Sequence, residues 1–291
     1  MISKGEIMKI KRVDLYEYFN LSRPENGAGY LNCFIPENSS EICINRKHPA
    51  MIVIPGGGYA MRSDRENEPI ALQYLANDYC AFTLEYSIAP IRHPYPIIEA
   101  GMAVAYVREN AQLFHVKSDN IACVGFSAGG HLCASIGNMF DIPELDVLGD
   151  KKALCRPDAI VLGYPVISSI IKKTHGGTFN NLCGEDNVEL QHKMSIETHV
   201  KSTSAPAFIF HTVTDGGVPV RNSLVLADAY VEAGVPFALH VFEKGEHGLS
   251  LANKMVYGLD KFEGKVFSLD FTKWVNLSIK WLEERGFKVL D

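Results

Sequence analysis

The chain has 291 residues, 47% hydrophobic and 21% charged, with 28 Lys and Arg against 34 Asp and Glu for a formal charge of −6. That balance can bury a large core, which excludes disordered, collagenous and disulfide-scaffold classes. The acidic excess leaves no general basic surface for phosphate backbones, so nucleic acid is not an expected partner.

Seven cysteines stand at 33, 43, 80, 123, 133, 155 and 183, an odd number with no CxxC pair. Neither a disulfide framework nor a zinc site is suggested. Cys80 and Cys123 fall inside apolar runs, where free thiols behave as small hydrophobes. The N-terminus, MISKGEIMKIKRVDLYEYF, has no apolar run ahead of a small-residue cleavage site. Nor is there a stretch of about 18 apolar residues that could span a membrane. A reduced, cytoplasmic protein without a membrane partner is expected.

In chain order, Val13–Phe19 and Tyr30–Ile35 read as antiparallel edge strands. Met51–Pro55 is a continuously apolar strand, and a helix over Pro69–Leu75 follows, opened by the acids Glu66 and Glu68. Cys80–Tyr86 is the next strand. Pro96–Phe114 places Ile98, Met102, Ala105, Tyr106 and Leu113 at helical spacing behind a first-turn proline. Ile121–Gly125 is a strand, with a helix from about Gly130 to Phe140. Ala159–Tyr164 and Ala207–His211 are further strands. Asn222–Ala233 is a helix stopped by Gly234, and Phe237–Phe242 a strand. Phe271–Arg285 shows Phe271, Trp274, Leu277 and Trp281 on one helical face before Gly286.

Continuous apolar strands alternating with helices predict a doubly wound, mostly parallel α/β sheet covered on both faces. Ser168–Ser204 breaks the rhythm: it contains THGGTFNNLCGED and no strong periodicity. A connection that long is expected to be a lid, a binding loop or a small insertion. The expected organisation is one domain over 1–291 with a lid-like insertion at about 168–204.

The chemistry begins at Gly125-Phe126-Ser127-Ala128-Gly129, a Gly-x-Ser-x-Gly element between a strand and a helix. A sharp strand-to-helix turn lifts the serine hydroxyl clear of the backbone, and the helix N-terminus behind it presents free N–H groups to developing negative charge. A hydroxyl is a poor nucleophile until a base takes its proton. Of ten histidines, His247 in Glu243-Lys244-Gly245-Glu246-His247-Gly248 has the favoured place, in a glycine-flanked loop after a strand. His240 lies within that strand, His211 suits a supporting role, and His131 lies along the helix after the serine. The acid that orients the base is Asp215, in the loop after Ala207–His211, with Asp228 on the following helix a poorer substitute. The order Ser127, Asp215, His247 is that of α/β-hydrolases.

Three glycines in Pro55-Gly56-Gly57-Gly58-Tyr59 follow the first strong strand. Their amides can approach a substrate oxygen closely, so those of Gly57 and Gly58, with that of Ala128, would form an oxyanion hole. No phosphate-loop motif, dinucleotide fingerprint or HExxH is present. No cofactor and no metal are expected.

On these residues the chain resembles α/β-hydrolases of the acetyl esterase/lipase group, nearest the small bacterial sugar-ester hydrolases related to acetylxylan and feruloyl esterases. The resemblance runs from about Lys47 to Arg285. Its carriers are the GGGY turn, Tyr86-Ser87-Ile88-Ala89-Pro90 with His93-Pro94-Tyr95-Pro96, the GFSAGGH element, the HTVTDGGVPV loop and EKGEHG. It implies nucleophile, acid and base at Ser127, Asp215 and His247, and oxyanion donors at Gly57, Gly58 and Ala128. Pro55 stands where the hormone-sensitive-lipase branch usually has histidine, and that branch's long N-terminal helical cap is missing, which favours the sugar-ester branch.

The function expected is a serine carboxylesterase for short acyl groups, acetyl first, carried by a small carbohydrate. Tyr59, Arg62, His175 and Asn181 are candidate substrate contacts. A peptidase of the prolyl-oligopeptidase kind is an alternative, but it adds a propeller or gating domain that the N-terminal segment is too short to form. A non-catalytic hydrolase-fold binding protein is another, opposed by the presence of all three triad candidates. A homodimer would suit the family, though no motif specifies one.

Overall fold

The protein is described here by a computed structural model covering residues 8–172 and 174–290. The expectation about the N-terminus rests partly on residues 1–7, outside the described residues, as are positions 173 and 291 of the expected insertion and domain.

Eight strands make one sheet: β1 (Met8–Asp14), β2 (Tyr30–Pro36), β3 (His48–Ile54), β4 (Cys80–Glu85), β5 (Val116–Phe126), β6 (Ala159–Gly163), β7 (Ala207–Thr212) and β8 (Phe237–Phe242). Their order is β1-β2-β4-β3-β5-β6-β7-β8. Pairings from β4 through β8 are all parallel, and β1 and β2 extend the β4 edge antiparallel. This is the expected α/β-hydrolase sheet. β3, β4, β6 and β7 are buried along nearly their whole length, because helices cover both faces.

On one face lie α3 (Tyr95–Glu109), α4 (Ser127–Asn138) and the helix Arg221–Ala233, sharing a core with Ile52, Phe82, Ile160 and Ile209. On the other, α2 (Glu68–Leu75) and the C-terminal helix Trp274–Glu283 cover Val53, Val124, Phe208 and Phe210. Trp274 stacks on Phe210 with ring centroids 4.5 Å apart, and its indole N–H donates to Ser250 O at 2.9 Å, so this aromatic buries its one donor satisfied. Strand order reverses between β3 and β5, and the crevice past their carboxyl ends is where open α/β sheets place ligands.

Several boundaries differ from expectation. Val13–Phe19 is not one strand: Asp14 accepts the Glu17 amide as an N-cap and the chain turns into α1 (Leu15–Phe19). The Pro96–Phe114 helix ends at Glu109. The C-terminal element opens as a 3₁₀ turn, Leu269–Lys273, before the α-helix. Ser168–Ser204 contains the helices Gly176–Cys183 and Val188–Lys193 and a 3₁₀ turn, Ile196–His199. Phe179, Leu182, Met194 and Ile196 of this segment are buried, so it is docked on the sheet domain rather than splayed from it.

Beside the sheet, Glu99 of α3 is fully buried and accepts from the Ser87 amide and hydroxyl and from Tyr16 OH. Burial pushes its carboxyl up from 4.5 to about 7 against those donors. A carboxyl raised in the fold contributes stability that is present below its unfolded value and lost as pH rises through the folded one. Urea unfolding should therefore show wild type losing about 3 kcal/mol relative to Glu99→Gln between pH 4.5 and 8. A difference independent of pH would contradict this assignment.

Candidate active site

The nucleophile turn joins β5 to α4. Ser127 has φ +52°, an uncommon conformation for a side-chain-bearing residue, and it is 7% exposed. Tight packing of the turn explains its glycines: a Cβ on Gly129 would sit 2.3 Å from the carbonyl oxygens of both Ile54 and Pro55. The strand ends of β3 and β5 are thereby drawn together, with Gly57 and Gly58 beside Ser127.

The parallel register of β7 and β8 pairs His211 with Val241 and Thr212 with Phe242, so the loops after these strands emerge side by side. Thr212 and Thr214 hydroxyls both donate to Gly245 O, at 2.8 and 3.1 Å, tying the acid loop to the histidine loop. Ser127 Oγ lies 2.8 Å from His247 Nε2, and His247 Nδ1 lies 2.8 Å from Asp215 Oδ2. With Nδ1–H donating to the carboxylate, Nε2 is left to accept the serine proton.

Asp215 Oδ1 accepts the Gly217 and Val218 amides at 2.9 and 2.8 Å. Burial alone would raise this carboxyl, but hydrogen bonds from His211, His247 and the Val218 amide hold it well below the usual carboxylate range. It is ionised wherever the enzyme could work. His211 is fully buried, donates from Nε2 to Val218 O at 2.9 Å and passes 3.5 Å from Asp215 Oδ2, the supporting place expected of it.

A cavity of about 400 Å³ opens over Ser127 and His247, walled by Gly57, Gly58, Arg65, His175 and Asn181 among others. Gly57 has φ +127°, and a Cβ there would fall 2.3 Å from Met61 O, so only glycine fits. Ala128 is fully buried at the first turn of α4, where its N–H is one of those a helix leaves without an intrahelical acceptor. The structure thus brings Ser127, His247, Asp215, Gly57, Gly58 and Ala128 to one end of the sheet.

The four candidate substrate contacts separate into two pairs. Asn181 and His175 line the cavity; Asn181 Nδ2 donates to Gly58 O at 2.8 Å, and His175 Nδ1 lies 2.8 Å from Thr178 Oγ1. Tyr59 is a correction. It is 1% exposed, with its hydroxyl 3.0 Å from His131 Nδ1, and it is absent from the cavity wall. Its φ of +55° belongs to the glycine turn, whose path takes this side chain into the core. Arg62 is likewise outside that wall and donates to Tyr86 O at 2.8 Å. His131, pushed down to about 4 by burial, is neutral and structural, and its Nε2–H donates to Met194 O of the inserted segment.

Sequence reasoning missed Glu66 and Arg65. Glu66 reads as a helix-opening acid, yet it is 3% exposed and faces the cavity. Arg65 is the one cation in the cavity wall among the described residues, its guanidinium 5.1 Å from the centre of the Tyr257 ring. Neither carries a motif. No group of residues suited to holding a metal ion occurs among the described residues, and no helix there is long and apolar enough to cross a membrane.

Residues 40–230 match the family model BD-FAE. Endo-1,4-beta-xylanase B of Butyrivibrio fibrisolvens is 37% identical over 220 residues, 71% of this chain and 33% of that protein. Acetylxylan esterase of Xylanibacter ruminicola is 27% identical over 245 residues, 82% of this chain and 47% of that protein. The chain therefore spans half or less of the length of these two relatives. Among solved structures, the acetyl ester-xyloside bifunctional hydrolase from Caldicellulosiruptor lactoaceticus is similar at 35% identity and a TM-score of 0.81, over 98% of this chain and 99% of that one.

Proposed function

The chain belongs to the BD-FAE family of α/β-hydrolases, and we propose that it is a serine carboxylesterase that removes short acyl groups, acetyl first, from a small carbohydrate. The observation that carries this reading is the hydrogen-bonded line from Ser127 Oγ through His247 to the buried Asp215, facing a glycine turn across one cavity.

Mechanistically, Ser127 Oγ attacks the ester carbonyl as His247 Nε2 takes its proton, and Asp215 stabilises the imidazolium that forms. The amides of Gly57, Gly58 and Ala128 receive the developing oxyanion. His247 then returns the proton to the leaving alcohol, and a water activated by the same nitrogen releases the acyl group. The working unit is the whole sheet domain, because nucleophile, acid and base come from loops after β5, β7 and β8. The segment 168–204 covers the site, supplying His175 and Asn181 to the wall.

The sugar comes from the relatives: the chain is similar to an acetylxylan esterase and to an acetyl ester-xyloside bifunctional hydrolase. A cavity of this size with Arg65, His175 and Asn181 on its wall suits a hydroxylated alcohol better than a long acyl chain. The seven cysteines are free thiols, which fits action in a reducing compartment such as the cytoplasm.

A series of p-nitrophenyl esters checks the acyl preference. Between acetate and octanoate kcat/KM should fall at least about 100-fold, since each misfitted methylene costs on the order of 1–3 kcal/mol. Acetylated xylo-oligosaccharides should be deacetylated. Preference for octanoate, or no deacetylation of the oligosaccharides, would reject the short-acyl sugar-ester reading.

A further inference from the structure

The deacylation chemistry above uses one carboxylate, yet a second is buried beside it. Glu66 lies in the 3₁₀ turn Asp64–Glu66 and is 3% exposed. Its Oε2 accepts the Gly56 amide at 2.9 Å and its Oε1 accepts Tyr164 OH at 2.7 Å. Both oxygens accept, and both donors are neutral, so the group is no half of an ordinary salt bridge.

Each of those donors leads to a different part of the site. Gly56 opens the glycine turn and lies against the nucleophile: a Cβ on it would sit 2.7 Å from Phe126 O and 3.0 Å from Ser127 Cβ. Tyr164, at the end of β6, packs its ring edge-on to His247 with centroids 5.2 Å apart. The Tyr164 oxygen also accepts the Ser250 amide at 2.9 Å, and the Ser250 hydroxyl donates back to Arg65 O. A closed circuit thus runs from the oxyanion turn through Glu66 and Tyr164 to the histidine loop, and back to the turn that carries Glu66.

Burying a carboxylate costs several kcal/mol, and a neutral bridge would hold two loops without that cost. Burial does raise the Glu66 carboxyl, against Tyr164, the Gly56 amide, Arg65 and the attraction of a charged His247. Among the groups around it, Tyr86, Tyr164 and Tyr257 are neutral phenols, burial holding each above its ordinary value. His247 is faced in addition by Asp215 and by His175, whose ring burial keeps neutral. Glu66, when ionised, attracts the imidazole that becomes cationic in the transition state, and both side chains line the same cavity.

We propose that Glu66 is a positioning residue of this esterase: its carboxylate holds the oxyanion turn in register with Ser127 and, through Tyr164 and by its charge, favours the protonated form of His247 as the reaction proceeds. The proposal rests on the serine-esterase reading and adds to it a residue that acts through the oxyanion turn and His247. Its signature is a loss in kcat rather than in KM, because the turn and the charge matter most when the oxyanion and imidazolium exist.

Glu66→Gln keeps the shape and removes the charge. On p-nitrophenyl acetate it should lower kcat about 10- to 100-fold, short of the loss of an oxyanion donor, while KM stays within about twofold. The acid limb of its kcat/KM profile should move to lower pH, since the base loses a stabilising anion. Its Tm should stay within a few degrees of wild type, the removed charge having been costly to bury. Tyr164→Phe, which breaks the circuit but keeps the carboxylate, should lower kcat less and leave the acid limb closer to wild type. An unchanged kcat in Glu66→Gln, or a loss accompanied by a matching fall in Tm with an unmoved pH profile, would overturn the proposal. Wild-type protein that turns over no ester would instead overturn the serine-esterase reading beneath it.

Discussion

Ser127→Ala should abolish turnover of p-nitrophenyl acetate, lowering kcat by about 10⁶-fold, with KM little changed. The magnitude follows from what the hydroxyl does. It forms the covalent bond that divides hydrolysis into two easier steps, and of the two serines on the cavity wall, Ser63 and Ser127, it is Ser127 that is hydrogen-bonded to His247. The residue left behind is a smaller side chain at a turn whose geometry is set by backbone packing on Ile54 and Pro55. Folding should therefore be unaffected, with Tm within a few degrees of wild type. Any surviving activity measures what the glycine turn and substrate binding contribute alone. A variant retaining more than about 1% of wild-type kcat would mean that Ser127 is not the nucleophile, because losing a covalent nucleophile costs orders of magnitude more.

Asp215→Asn should lower kcat by about 10⁴-fold while the protein stays folded. The carboxylate has two separable jobs. Its Oδ1 accepts the Gly217 and Val218 amides, which an asparagine oxygen can continue to do. Its Oδ2 accepts from His247 Nδ1. With the asparagine oxygen committed to the amides, the side-chain NH₂ faces the imidazole. The ring must then turn an unprotonated Nδ1 toward it, which places its hydrogen on Nε2. A protonated Nε2 cannot take the proton of Ser127, and the imidazolium has lost its counter-charge. Steady-state kinetics and a thermal melt distinguish this from unfolding. A drop smaller than tenfold would show that another acid, such as Asp228, serves His247.

The strands and the site were legible to different degrees, for physical reasons. Continuous apolar runs such as Cys80–Tyr86 and Ala207–His211 announce strands buried on both faces, and the structure has them, as Cys80–Glu85 and Ala207–Thr212, within a residue of the reading. β5 begins five residues earlier than its apolar run, at Val116, because Lys117–Asn120 are polar, with Ser118 and Asp119 exposed, yet still extended. Val13–Phe19 misleads because Asp14 is read as a strand residue, while its side chain caps a helix that no run of apolar alternation reveals. Ser168–Ser204 shows no periodicity because its helices are only eight and six residues long, too short to repeat a pattern.

The candidate triad can be read from sequence because each member stands in a glycine-flanked loop just after an apolar strand. Glu66 cannot, since its partners Gly56 and Tyr164 lie 10 and 98 positions away and only the fold brings them to it. Tyr59 shows the opposite failure. It neighbours the glycine turn in sequence, but the positive φ carries its side chain away from the cavity and onto His131. Proximity to a motif in the chain predicts the location of a backbone, and the dihedral angles decide where the side chain goes.

The central claim is that Ser127 carries the acyl group. Treating the protein with a fluorophosphonate and mapping the adduct by mass spectrometry tests it most directly. A single adduct on the Ser127 side chain is predicted, competed by p-nitrophenyl acetate and absent from Ser127→Ala. An adduct on another residue, or ester turnover persisting in protein that takes no label, would contradict the account.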